Sequence, residues 1–181
     1  MSATYVGLLR GINVGKAKRV AMADLRAAIE SLGYGDVRTV LNSGNAVFTA
    51  TRPPGRGAAE ALQQALLDRT GVSSRFFLRS AAVLEAIVAA DPAGRRVTDP
   101  SRYFVGFLYE PATAKALTAL AARSWAPELM AVGDGVVYLW CPSGLTESPA
   151  AEAIGRALGD AVTIRNWSTV QKIGEAVSRG S

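Results

Sequence analysis

The stretch Tyr5-Val6-Gly7-Leu8-Leu9-Arg10-Gly11-Ile12-Asn13-Val14-Gly15-Lys16 decides how this chain is read. Tyr5 to Leu9 is an apolar run of strand type, and it breaks at once into a loop holding one Arg, two Gly, one Asn and one Lys. A second loop of similar make-up, Asn42-Ser43-Gly44-Asn45, lies further on between two apolar runs. Loops this small and this rich in donors bring backbone N–H groups and a guanidinium toward an anion or polar ligand.

Working outward, the strand at 5–10 precedes a helix over 22–32, where Met22, Leu25, Ile29 and Leu32 fall at helical spacing and Gly33 suits a left-handed cap. Asp24 falls in the first turn of that helix, where the dipole favours a negative charge. Strands at 37–41 and 46–50 flank the Asn42–Asn45 loop as a hairpin. A helix over 58–69 and a strand over 73–79 complete the first round, and Ser80 caps a further helix over 81–90. The second half repeats the order: a strand at 102–110, a helix from Pro111 to Arg123, and strands at 128–132 and 136–141 around Gly133-Asp134-Gly135. A helix over 150–158, a strand over 162–165 and a final helix over 167–177 follow. Ser168 and Gln171 make a capping-box pattern in that last helix.

Each half thus reads βαββαβ, the ferredoxin-like plait, so the expected class is α+β with two tandem ferredoxin-like subdomains, antiparallel sheets and a C-terminal helix. Residues 1–91 form the first subdomain, the polar, proline-bounded 92–100 stretch the linker, and 101–181 the second subdomain with the helix. The repeat is one of element order, since residue identity between the halves is slight.

In such a plait the sheet order is 4-1-3-2, and the loop after strand 1 emerges at the same end as the hairpin between strands 2 and 3. The candidate ligand site is therefore Arg10, Gly11, Asn13, Gly15 and Lys16 facing Ser43, Gly44 and Asn45. Gly and Asn also populate plain turns because they tolerate positive φ, and both readings stand at this point. The spacing matches neither a phosphate-binding P-loop, which ends Gly-Lys-Ser/Thr, nor the dinucleotide fingerprint. Arg165 and Asn166 stand where the last strand runs into the last helix, and two readings are open there. With Lys172 this terminus offers a positive end to an anionic group, or Asn166, Ser168 and Thr169 only satisfy the N–H groups of the helix start.

Composition limits the chemistry. Histidine is absent, which removes imidazole bases, Ser-His and Cys-His pairs and His-ligated zinc. No metal site is expected and no cofactor is named. The single cysteine, Cys141, forms no internal disulfide and reads as a small buried hydrophobe. The net charge is +5, and the basic residues are mostly Arg, scattered along the chain with only Arg95-Arg96 adjacent. Nucleic-acid binding from charge alone is accordingly a weaker reading. Trp125, Trp140 and Trp167 are expected as core or interface rings, and Tyr103, Phe107 and Tyr109 as buried strand aromatics and not a base-stacking platform. With 49% hydrophobic and 19% charged residues, no membrane-spanning run and Met1 leading almost directly into the first strand, the expectation is a cytoplasmic globular protein.

Leu9-Arg10-Gly11-Ile12-Asn13-Val14-Gly15, Ser43-Gly44-Asn45 and Thr163-Ile164-Arg165-Asn166-Trp167-Ser168-Thr169-Val170-Gln171-Lys172, in that order, resemble the signatures of the bacterial family catalogued as domain of unknown function 1697. The resemblance runs from about Ala3 to Ile173. It implies two related α/β subdomains of ferredoxin-like type and carries no established activity. Members resembling this chain commonly have a Lys after the serine matching Ser148, where this chain has Pro149.

Three functional readings follow. The first is a binder of a small anionic ligand, a nucleotide or phosphorylated metabolite, in the cleft between the Arg10–Gly15 and Asn42–Asn45 loops. The second is a nucleic-acid-associated module. The third is a histidine-independent enzyme that uses the same cleft.

Overall fold

The computed structural model describes residues 2–179. The protein is a mixed α+β structure with two four-stranded antiparallel sheets and six α-helices among the described residues. It divides into two compact units. One contains the described residues up to Glu85 and those from Lys172 onward, and the other contains Ala86–Gln171.

The first unit is built from β1 (Ala3–Leu9), α1 (Met22–Glu30), β2 (Gly35–Val40), β3 (Asn45–Ala50), α2 (Ala58–Thr70) and β4 (Phe76–Ser80), with strand order β2-β3-β1-β4. β1 lies between β3 and β4, with Val6 opposite Val47 on one side and Arg79 on the other. Leu9, Val37, Ala46, Phe48 and Phe76 turn one sheet face into a core against Leu25 and Ile29 of α1 and Leu62 and Leu66 of α2. Leu25 and Ile29 are one helical turn apart and fully buried, and each such side chain contributes about 1.5–3 kcal/mol on burial.

α1 ends two residues earlier than its spacing predicts. The Gly33 N–H bonds the Glu30 carbonyl at 2.9 Å, Gly33 takes φ 83, and the chain unwinds through a tight turn that leaves Leu32 41% exposed and not inward. α3 (Ala81–Ala90) follows β4 directly, with the Ser80 hydroxyl accepting from the Val83 N–H at 3.3 Å, the cap expected from sequence.

In the second unit, β5 (Tyr103–Leu108) is followed by a 3₁₀ segment Pro111–Leu117 that passes into α4 (Thr118–Ala121). The regular helix expected from Pro111 to Arg123 is therefore mostly 3₁₀. Its apolar residues explain the difference: Ala114, Leu117 and Leu120 recur every third residue, the 3₁₀ period, and all three pack into one core. β6 (Leu129–Gly133), β7 (Val136–Trp140), α5 (Pro149–Leu158) and β8 (Val162–Asn166) complete the sheet, in the order β6-β7-β5-β8. Tyr103 and Phe107 of β5 are buried, so neither ring is offered to a base, and Trp140 and Trp167 are buried as well.

Ser148 caps α5, its hydroxyl accepting from the Ala151 N–H, and Pro149 takes the first helical position, where its missing N–H costs nothing. The chain ends in α6 (Trp167–Ser178). Its cap is Asn166, whose Oδ1 accepts from the Thr169 N–H at 2.9 Å, and the helix starts one residue ahead of the Ser168 capping box read from sequence. Asn166 offers a capping side-chain oxygen as Ser168 does, two positions earlier, so the sequence holds two competing caps.

Candidate functional site

The loop after β1 is anchored at both ends. The Leu9 N–H donates to the Gly44 carbonyl at 2.8 Å, the Arg10 N–H to the Arg75 carbonyl at 3.1 Å, and the Ser74 hydroxyl to the Arg10 carbonyl at 2.8 Å. Ile12 and Val20 are buried and pull the loop onto the core. Along this loop the backbone takes positive φ at Gly11, Asn13, Gly15 and Lys18.

Asn13 is the organising residue. Its Nδ2 donates to the Val20 carbonyl at 2.9 Å and to the Asn42 carbonyl at 2.7 Å, while its Oδ1 accepts from the Val20 N–H at 2.9 Å. One side chain thus closes the first loop on itself and ties it to the second. In the second loop, Asn45 is fully buried and donates to the Val40 carbonyl at 2.8 Å and the Ser43 hydroxyl at 2.9 Å. Gly44 sits at φ 80 where a Cβ would lie 2.8 Å from both Ile12 Cδ1 and Leu9 Cβ. The amides of Asn13 and Asn45 are thereby engaged in holding the loops.

The two loops enclose a cleft of about 750 Å³, within the range of small-molecule sites. Of the residues named from sequence, Asn13 and Ser43 line it; Arg10, Gly11, Gly15, Lys16, Gly44 and Asn45 do not. Arg19, Ala21 and Leu41 line it without having been singled out, as do Met22, read from sequence only as a helix residue, and Asn42, read only as the start of the second loop. Ala21 and Met22 are the entry to α1, and the cap position, Ala21, makes no side-chain hydrogen bond. A helix start of this kind leaves backbone N–H donors and the positive end of the dipole directed outward. The first-turn acid, Asp24, accepts from Arg69 Nε at 3.0 Å, so its charge is shared with a cation on α2.

The loop is also electrostatically one-sided. Arg10, Lys16, Lys18 and Arg19 fall within ten residues, with no acid before Asp24. Val14 and Leu41, 73% and 46% exposed, give the cleft apolar walls. Two signals in the sequence mark this region: a basic run directly ahead of a helix, and an alanine where Ser, Thr, Asp or Asn ordinarily caps.

Arg165 and Asn166 belong to the other unit. Arg165 is buried in the sheet, where its Nη1 donates to the Thr163 hydroxyl at 2.9 Å and the Ile164 carbonyl at 3.0 Å, and burial pushes its guanidinium down to about 10. Cys141 is buried too; its thiol donates to the Ser148 hydroxyl at 3.4 Å and burial pushes it up to about 11, the opposite of a reactive thiolate. Among the described residues no group of three or more His, Cys, Asp or Glu is arranged to hold a metal ion, and no helix is long and apolar enough to cross a membrane.

Among solved structures, the chain is similar to the conserved bacterial protein SP0830 from Streptococcus pneumoniae, with TM-score 0.73, 24% identity, and coverage of 98% of this chain and 99% of that one. The likeness is one of fold. No curated protein matches. The family described as protein of unknown function (DUF1697) matches residues 2–138, a span that contains the first two of the three signature segments and stops short of the third. With about three quarters of its length matched, and both glycine loops within the match, the chain belongs to the DUF1697 family.

Proposed function

We propose that the protein binds a small anionic ligand, a nucleotide or phosphorylated metabolite, in the cleft between the 10–15 and 42–45 loops. The observation that carries this reading is that the uncapped start of α1 and the side chain of Arg19 line the same cleft. Backbone donors, a helix dipole and a guanidinium reinforce one another for an anion. Val14 and Leu41 suit an apolar or ring portion of the same molecule. Binding is favoured over turnover because, among the described residues, Arg19 is the only ionisable one lining the cleft, and a guanidinium is a poor proton-transfer group. Each four-stranded sheet is further proposed to be a ferredoxin-like plait, on the support of its strand order. A free, buried thiol fits a reducing compartment, and we place the protein in the cytoplasm.

The test is isothermal titration with adenosine monophosphate at low and high salt, in the parent chain and in Arg19→Gln. Saturable binding that survives salt and weakens roughly tenfold or more in the variant supports the reading, since a charge-assisted hydrogen bond is worth about 1.5–3 kcal/mol. Affinity unchanged in Arg19→Gln refutes it. Binding seen only with single-stranded RNA and only at low salt moves the function to nucleic acid.

A further inference from the structure

We propose that a second cleft, built around Arg38, is a separate oxyanion site that takes the phosphoryl group of a small phosphate ester. Arg38 stands on β2, an edge strand of its sheet, beside a register irregularity between Gly35 and Arg38. Its Nε and Nη2 are both shielded from solvent, and neither has a hydrogen-bond acceptor among the described residues. A buried donor without an acceptor costs about 1–3 kcal/mol, and more when it carries charge. The pair left over is chemically informative. In a guanidinium, the Nε–H and one Nη2–H run parallel, the side-on fork that takes two oxygens of a phosphate at once when the side chain turns that edge into the cleft.

The surroundings match that reading. The cleft holds about 500 Å³ and is lined by Arg26 of α1, by Arg38 and Thr39 of β2, and by Lys172, Glu175 and Arg179 at the end of the chain, all within the first unit. Four cations and one carboxylate leave three positive charges in excess, and that carboxylate lies 3.8 Å from Arg179 Nη2. A dianionic phosphoryl group answers this excess better than a monovalent carboxylate, and Thr39 adds a hydroxyl. Among the described residues, Leu41 is the one that lines both this cleft and the loop cleft.

The experiment is a titration of the full chain with inorganic phosphate, ionic strength being held constant with chloride, followed through the Nε–Hε resonance of Arg38. The expected result is a saturable shift of that resonance, with the dissociation constant raised roughly tenfold in Lys172→Gln and unchanged in Arg19→Gln. Lys172 is exposed, so its variant tests the site without disturbing the fold. No saturable shift of Arg38, an affinity indifferent to Lys172→Gln, or a shift abolished by Arg19→Gln would each overturn the proposal. So would a response to single-stranded RNA with none to inorganic phosphate.

Discussion

The side-chain amide of Asn13 donates to the backbone carbonyl of Asn42 at 2.7 Å, joining two loops that are 29 positions apart in the chain. Asn13 does this at φ 54, a conformation that Asn tolerates and Ala does not. Asn13→Ala therefore loses the bonds to Asn42 and Val20 and adds backbone strain, for an expected cost of about 2–4 kcal/mol. Asn13→Gly loses the bonds alone and should be less destabilising by about 1 kcal/mol. Urea denaturation of the two variants separates the contributions; equal values would remove strain from the account.

Gly44 and Gly11 both have positive φ, yet only Gly44 lacks room for a side chain. Gly44→Ala should cost about 2–4 kcal/mol, because its Cβ meets Ile12 and the Leu9 Cβ in a packed core. Gly11→Ala, which opens into free space, should cost only about 1 kcal/mol. Chemical denaturation of the pair decides the matter, and a Gly11 variant as damaging as the Gly44 one would contradict the packing argument.

Burial raises the Cys141 thiol from an ordinary value of 9.0 to about 11. A raised folded-state value means that the stability is fully present below the unfolded pKa. It is lost as pH rises, because the unfolded chain gives up its proton first. Stability should therefore fall between about pH 9 and about pH 11, with a slope of up to roughly 1.4 kcal/mol per pH unit from this group. Tyr138, also raised by burial and by Asp91 to about 12, extends the decline. Cys141→Ala should flatten the first part of the curve, and an identical pH profile in the variant would show that the thiol does not contribute.

Asp24 sits in the first turn of α1 and pairs with Arg69, both side chains being close to half exposed. Removing an exposed pair of this kind changes stability by less than about 1 kcal/mol. The carboxylate nevertheless opposes an anion at the helix start. Asp24→Asn is expected to leave the melting temperature nearly unchanged while tightening adenosine monophosphate binding by a few-fold, roughly 0.3–1 kcal/mol. Weaker binding in the titration would argue against the helix terminus as part of the site.

Much of the architecture was legible because periodicity is local. The Tyr5–Leu9 run, the Leu25/Ile29 spacing and the Gly133-Asp134-Gly135 turn each announce an element within a few residues, and the expected 4-1-3-2 sheet order is the order observed. Boundaries were less so: Leu32 continues a helical pattern that a glycine turn cuts short, and Ala114, Leu117 and Leu120 serve a 3₁₀ segment as well as an α-helix. The site was half legible. Glycine and asparagine marked the two loops, but the same residues turned out to be bonded into the loop framework, and the charge that lines the cleft comes from Arg19. Nothing local brings Lys172 beside Arg38, since that proximity depends on which unit the end of the last helix joins.

Leu41, exposed and held at φ 59, forms part of the wall of both clefts. If both proposed ligands bind, this shared wall gives the two binding events a route to thermodynamic linkage. A ligand that repositions Leu41 for its own benefit alters the surface met by the other, and the factor by which each changes the other's affinity is the same in both directions. Leu41→Ala is then the substitution expected to remove that route while leaving the charged groups of each cleft in place.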